Sequence, residues 1–353
     1  MEKVKIGLVG AGQISRAHLD AYKKVKNAEV VAICDINEKH LNETADLFGI
    51  KNRYISETEM LKNEKLDAAD VCVWNCNHAK CTIEALDAGL HVLCEKPMAY
   101  NAKQAEEMHE AAKRNNRLLM IGFVLRFGTE SKIAKDFIDN GYLGDIYFTK
   151  ATYLRRHGSP GGWFGKKELS GGGPVIDLGV HVIDLTRSLM GSPKPVSVYA
   201  VTSDRLGDRK YLKNDVGWKP DDATDNDEFS VEDFGTALIR YDNGSCTLLE
   251  TSYSLNGEEV TQKEFFGTKG GIKIDNDGKM KIFGEYNGYL ADITPKLENY
   301  KYGTEMFPDE MQHFADCVQK GIPCMASAED GIAVMKILDA VYESARTGHE
   351  VIL

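Results

Sequence analysis

The chain has 353 residues, 42% apolar and 27% charged, a balance that folds and excludes a disordered polymer. Its length suits two domains and buries enough surface to hold a core without disulfides. With 43 Lys+Arg against 54 Asp+Glu the formal charge is −11 and no basic run stands out, which argues against nucleic acid or an anionic membrane as partner.

Residues 1–124 alternate apolar runs with helical patterns. The runs are Val4–Val9, Val30–Cys34, Val71–Trp74, His91–Cys94 and Leu118–Phe123; helices are expected over Ile14–Val25, Glu38–Phe48, Lys80–Ala88 and Ala102–Asn115. This alternation predicts a parallel sheet covered on both faces. Residues 125–353 change rhythm. A helix candidate at Ser131–Asn140 and another at Val175–Met190 accompany strand candidates at Asp145–Leu154, Pro195–Ser203, Val231–Tyr241, Ser245–Ser254, Val260–Phe266, Gly271–Asp275 and Lys279–Phe283. They predict an α+β domain with a large, mostly antiparallel open sheet. Residues 204–228 are polar and acidic without ordered calcium-ligand spacing, and read as a solvated loop. A last helix over about 327–347 starts at Ser327-Ala328-Glu329-Asp330, a capping-box pattern, and is expected to pack back on the first domain.

No stretch reaches the ~18 apolar residues of a membrane span. The N-terminus enters a strand pattern without a signal region, so a cytoplasmic protein is expected. The eight cysteines hold no C-x-x-C pair, and four lie in or beside apolar runs; they read as buried free thiols.

Gly10-Ala11-Gly12 follows the first strand and opens a helix at Gln13, the context that a dinucleotide-binding turn needs. Gly10 permits the turn, and Gly12 lets backbone approach a pyrophosphate. Gln13 and Ile14 offer helix N–H groups to it, and Ser15 stands where a third glycine is usual. Asp35 ends the second strand, placed to accept both hydroxyls of a ribose and to repel a 2′-phosphate, so NAD is favoured over NADP. Downstream, Glu95-Lys96-Pro97 puts two charges and a proline at the carboxyl end of a buried strand, where open α/β sheets bind ligands.

Together with Asn75 and His78, Arg126-Phe127, Gly171-Gly172-Gly173, Asp177 with His181 and Gly267-Thr268-Lys269-Gly270-Gly271, these motifs resemble the Gfo/Idh/MocA family of NAD(P)-dependent sugar and polyol oxidoreductases. The resemblance covers nearly the whole chain and departs at Val73-Trp74, where the family usually has Thr-Pro. It implies a Rossmann NAD-binding domain, a substrate domain, and a homodimer or homotetramer. It also implies cofactor contacts at Gly10, Gly12, Gln13, Ile14, Asp35, Asn75, His78, Glu95 and Lys96.

Oxidation of a secondary alcohol needs a base and a group that stabilises the developing alkoxide. The imidazole of His181 suits the first role and the ammonium of Lys96 the second; the resemblance implies the same roles. Asp177, four residues before His181, shares its helix face and is expected to orient substrate or base. A sugar, cyclic polyol or glycoside is the expected substrate. Arg126, Tyr153, Arg155, His157 and Trp163 are candidate contacts beside Lys96, Asp177 and His181, and no metal is expected. Two other readings stand: a redox-neutral or sugar–sugar enzyme that recycles a tightly bound NAD, and a non-catalytic NAD-binding regulator.

Overall fold

The structure is a computed structural model that describes residues 2–353 apart from 214–216, 225, 276–277, 297–299 and 302. Part of the acidic 204–228 stretch therefore lies outside the described residues. The chain forms two compact units, Met1–Phe127 with Gly303–Ile332 and Gly128–Tyr302 with Ala333–Leu353. Gly303–Ile332 thus groups with the N-terminal unit, whereas a boundary near residue 125 leaves it in the C-terminal one.

In chain order the first unit carries β1 (Val4–Val9), α1 (Gln13–Tyr22), β2 (Ala28–Cys34), α2 (Glu38–Phe48), β3 (Asn52–Tyr54), α3 (Glu57–Asn63), β4 (Ala68–Val71), α4 (His78–Asp87), β5 (His91–Glu95), α5 (Ala102–Asn115) and β6 (Leu119–Gly122). The six strands are all parallel, in the order β3-β2-β1-β4-β5-β6. That is the doubly wound Rossmann order, with its switch point between β1 and β4. β4 is buried at every position, as expected of a strand covered on both faces. Leu8, Leu19, Ile33, Leu41, Ala45 and Cys72 form one buried cluster that locks α1 and α2 onto β1 and β2. Asn37 caps α2 through the N–H groups of Lys39 and His40, and Gly49, at φ +71°, ends it.

The second unit carries α6 (Thr129–Asp139), β7 (Ile146–Leu154), α7 (Lys167–Ser170), α8 (Val180–Leu189), β8 (Pro195–Ser203), β9 (Phe234–Tyr241), β10 (Cys246–Ser252), β11 (Val260–Gly267), β12 (Gly270–Ile274), β13 (Met280–Tyr286) and β14 (Tyr289–Ile293). Helices α9 (Phe307–Lys320) and α10 (Ala328–Thr347) and the edge strand β15 (Val351–Ile352) follow. Its nine-stranded sheet runs β14-β13-β12-β11-β7-β10-β9-β8-β15. Only the β10–β7 pair is parallel among the described strands of this sheet. Pairing register puts Val198, Ile239, Thr247, Thr149, Phe265, Ile272 and Ile282 in one row, all 2% exposed or less. Helix α8 covers this face over β7, β10 and β11. The alternate row starts with Tyr199 opposite Leu238, and both are exposed.

Helix α9 is absent from the sequence reading, although Pro308, the acidic first turn and the spacing of Phe307, Met311 and Phe314 announce it. It returns to the first unit: Phe307 packs against the His18 ring, and Asn27 donates to Asp316 and Gln319. The expected cap of α10 forms in part. Asp330 N–H donates to Ser327 Oγ at 3.2 Å, while the Asp330 carboxylate goes elsewhere.

Candidate active site

The first unit builds a nucleotide-binding edge around its glycine turn. Gly10 adopts φ +103°, and a Cβ there would lie 2.5 Å from the Cys72 carbonyl oxygen, so only glycine fits. A Cβ at Gly12 would meet no atom within 4 Å, leaving open space at the start of α1, whose first residues are Gln13 and Ile14. Ser15 is fully buried, small enough to keep α1 close to the sheet.

Asp35 ties this turn to the second strand. Its Oδ2 accepts from Ala11 N–H and its Oδ1 from Asn37 N–H, each at 2.7 Å. Each carboxylate oxygen keeps a second lone pair for a ribose hydroxyl. The cap of α2 comes from Asn37, so Asp35 does not serve as that cap. The cradle at Gly12 and the acceptor at Asp35 fit NAD, which supplies the hydride acceptor when bound.

The Glu95-Lys96-Pro97 turn, with a cis Lys96–Pro97 bond, leaves the carboxyl end of β5. Lys96 N–H donates to Glu95 Oε2 at 3.0 Å, and the other Glu95 oxygen faces His18 Nε2 at 3.1 Å. His18 Nδ1 lies 2.9 Å from Asp70 Oδ2. All three groups are buried, and Glu310 of α9 adds a further carboxylate within 4.8 Å of His18 and Glu95. Burial alone pushes the His18 pKa down. The Asp70 carboxylate outweighs it and holds the ring well above its ordinary value, so both nitrogens donate. No sequence signal marked His18, whose partners lie 52 and 77 residues away.

His78 is buried with Nδ1 2.7 Å from the Pro97 carbonyl and Nε2 3.0 Å from the Val73 carbonyl, stitching the Lys96 turn to the loop that carries Asn75. Its pKa is lowered by burial, so the ring is neutral and donates through one nitrogen. Asn75 is buried at the start of a 3₁₀ turn. Arg126, expected at the substrate, is 6% exposed. It donates to the Met325 carbonyl and to Asp330 Oδ2, the latter at 3.0 Å. The structure thus uses its guanidinium to hold the segment leading into α10, because an arginine this buried needs acceptors on hand.

The second unit presents the other candidates. Residues Val175–Gly179 make one π-helical turn before α8, where a continuous α-helix was expected; Asp177 lies in that turn and His181 in the first turn of α8. Such turns are common at functional sites. The Glu232 carboxylate fastens the entry. It accepts from Gly173 N–H (3.0 Å), Val175 N–H (3.1 Å) and Tyr342 O–H (3.0 Å). A Cβ on Gly173 would sit 2.1 Å from the Glu232 carbonyl oxygen, which gives the glycine run its reason.

Asp177 Oδ2 accepts from the fully buried Tyr253 hydroxyl at 2.9 Å. Arg155 donates to Tyr153 Oη at 3.0 Å, lies over that ring, and senses the Asp177 charge. Tyr153, Arg155, Asp177 and Tyr253 are therefore one polar group. Glu232 and Tyr253 were missed by sequence reasoning, being distant in the chain. His157 is half-exposed and pairs with Glu259 at 2.9 Å. Trp163 stacks on Phe164 (centroids 4.0 Å apart) in a turn held by Asp227 and Ser230.

The chain matches two family models: the NAD-binding Rossmann fold of an oxidoreductase family over residues 4–123, and that family's C-terminal alpha/beta domain over residues 135–353. It is a member of the Gfo/Idh/MocA oxidoreductases. This Gfo/Idh/MocA chain is 34% identical to D-glucoside 3-dehydrogenase of Escherichia coli, over 99% of its own length and 97% of that protein's. It is 26% identical to levoglucosan dehydrogenase of Pseudarthrobacter phenanthrenivorans, over 98% and 97%. A solved structure of levoglucosan dehydrogenase with NADH and levoglucosan superposes with a TM-score of 0.87 at 25% identity, covering 99% of each chain. The Gfo/Idh/MocA chain is thus an oxidoreductase with an NAD-binding domain. No described helix is long and apolar enough to cross a membrane.

Proposed function

We propose that the chain oxidises a secondary ring hydroxyl of a sugar, glycoside or cyclic polyol with NAD. The observation that carries this reading is the 34% identity to a glucoside dehydrogenase along 99% of the chain. His181 takes the hydroxyl proton as general base. Lys96 donates to the same oxygen and stabilises the alkoxide as it forms. Asp177, held by Tyr253, with Arg155 and Tyr153 beside it, orients the remaining hydroxyls. Trp163 offers an apolar wall to a ring face. A homodimer or homotetramer uses the sheet face that exposes Tyr199, Val201 and Leu238.

The test is a panel of glucosides, inositols and anhydrosugars with NAD, followed by NADH absorbance. Net NADH from at least one glycoside or polyol is expected. NAD that copurifies, with no net NADH released while one sugar is oxidised and a second is reduced, would move the assignment to the sugar–sugar reading. Lys96→Met should retain NAD binding and lose ~10²–10⁴-fold in turnover; unchanged turnover would remove Lys96 from the chemistry.

A further inference from the structure

Two cysteines and a histidine meet in the first unit, beside the segment that Arg126 holds. Cys317 lies in the last turns of α9, Cys324 follows the helix stop at Gly321, and His313 is one helical turn before Cys317. Both sulfurs and a ring nitrogen lie within 4.8 Å of one another. Cys317 Sγ is 3.3 Å from His313 Nε2. Cys324 is half-buried between exposed Pro323 and Met325, whereas Cys317 is buried beneath it.

Such a cluster suits either a soft metal or thiol chemistry. The described residues offer three ligands, one short of the four that a closed structural zinc site uses, whereas thiol chemistry needs only the two sulfurs. Met325 N–H points at His313 Nε2 at 3.0 Å, which places the ring proton on Nδ1. An unprotonated nitrogen beside Cys317 is a proton acceptor for that thiol.

We propose that Cys324 and Cys317 form a peroxide-sensitive dithiol, with Cys324 as the attacking sulfur and Cys317 as the resolving one. The Cys324 thiol gives its proton to solvent, and the thiolate attacks one oxygen of a hydroperoxide; the O–O bond breaks, a sulfenic acid forms, and the other oxygen leaves as hydroxide or alkoxide and regains that proton from solvent as water or alcohol. Cys317 passes its proton to His313 Nε2 and attacks the sulfenic sulfur. The S–S bond forms, and hydroxide leaves and takes that proton as water. Two thiols lose two electrons and the peroxide gains them.

Five of the other thiols do not compete on these terms. Burial pushes Cys34, Cys72, Cys81, Cys94 and Cys246 up, away from the thiolate. Cys324 is pulled down instead, first by the Cys317 thiol and then, against the cost of burial, by His313 and the Ala326 N–H. The bond would tie the end of α9 to the segment whose carbonyls receive Arg126 (at Met325) and Ile121 N–H (at Ala326). A disulfide made and broken there suits a reducing compartment, where thiol pairs that oxidise are transient.

The experiment uses the full-length, freshly reduced protein with equimolar hydrogen peroxide, then alkylation and peptide mass mapping. The expected product is a Cys317–Cys324 cross-link, about two mass units lighter than the dithiol and reversed by a dithiol reductant. Cys324 should react about tenfold or more faster than Cys76 or Cys246. In Cys317→Ser, Cys324 should stop at a sulfenic acid that dimedone traps. The proposal falls if both sulfurs remain alkylatable, if another cysteine is oxidised first, or if the purified protein holds one equivalent of zinc that shields both thiols until chelated.

Discussion

At residue scale, single side chains here serve two purposes. Asp35 accepts two backbone N–H groups, and on the proposed reading its remaining lone pairs receive a ribose. Asp35→Ser should therefore raise the NADP-to-NAD ratio of kcat/KM by about tenfold, since the charge that repels a 2′-phosphate is gone. It should also raise KM for NAD, because Ala11 and Asn37 lose their acceptor; initial rates with both cofactors test this. His18 joins Asp70 to the Glu95 that precedes Lys96. Its raised folded pKa means that its stabilisation is complete below its unfolded value of ~6.5 and is lost as pH climbs through the folded value. His18→Asn should cost about 3 kcal/mol or more near ~pH 6. The gap to wild type should narrow as pH rises beyond the unfolded value, read from urea unfolding. Glu57, pushed up to about 7 by burial, titrates in the same window but is common to both proteins and cancels.

Elements were legible in proportion to how local their causes are. Most strands and helices of the first unit follow from apolar runs and caps such as Asn37 and Asn101, which act within three residues; the short β3 and α3 were not expected, and β4 lies at Ala68–Val71 instead of Val71–Trp74. The π-helical turn at Val175–Gly179 was not legible, because Glu232, 57 and 59 residues away, supplies acceptors for the helix entry. Glu232→Ala should leave two N–H groups and the Tyr342 hydroxyl without that acceptor and cost about 1–3 kcal/mol. On the proposed roles of Asp177, in that turn, and His181, just after it, turnover should fall further than stability alone explains; kcat in the folded fraction measures the difference. Helix α9 carried its signals in the open, at Pro308 and the acidic residues after it, and yet serves the unit from which it is most distant in sequence.

At the scale of the whole molecule, the second unit's sheet has one row of buried side chains and, in the adjacent row, an exposed Tyr199–Leu238 pair. Aromatic and aliphatic groups exposed side by side on a broad sheet are expected to be covered by another copy of the chain. Leu238→Arg, on a strand whose buried face is unchanged, should convert the assembly to monomer while far-ultraviolet dichroism stays the same; light scattering after gel filtration reads it. A wild type that is already monomeric would rule the interface out.

The sequence by itself determined the strand–helix alternation of residues 4–123, the glycine turn at Gly10 and Gly12, the acid at Asp35 and the Glu95-Lys96-Pro97 turn. Each of these is a short-range pattern whose chemistry is written in adjacent residues. Only the tertiary structure decided that Arg126 is bound within the protein by Asp330, that His18 lies between two carboxylates, and that Cys317 and Cys324 share one pocket with His313. The reason is burial: a charged or reactive group removed from water must find its partner in space, and nothing in the order of residues says which distant segment will bring it.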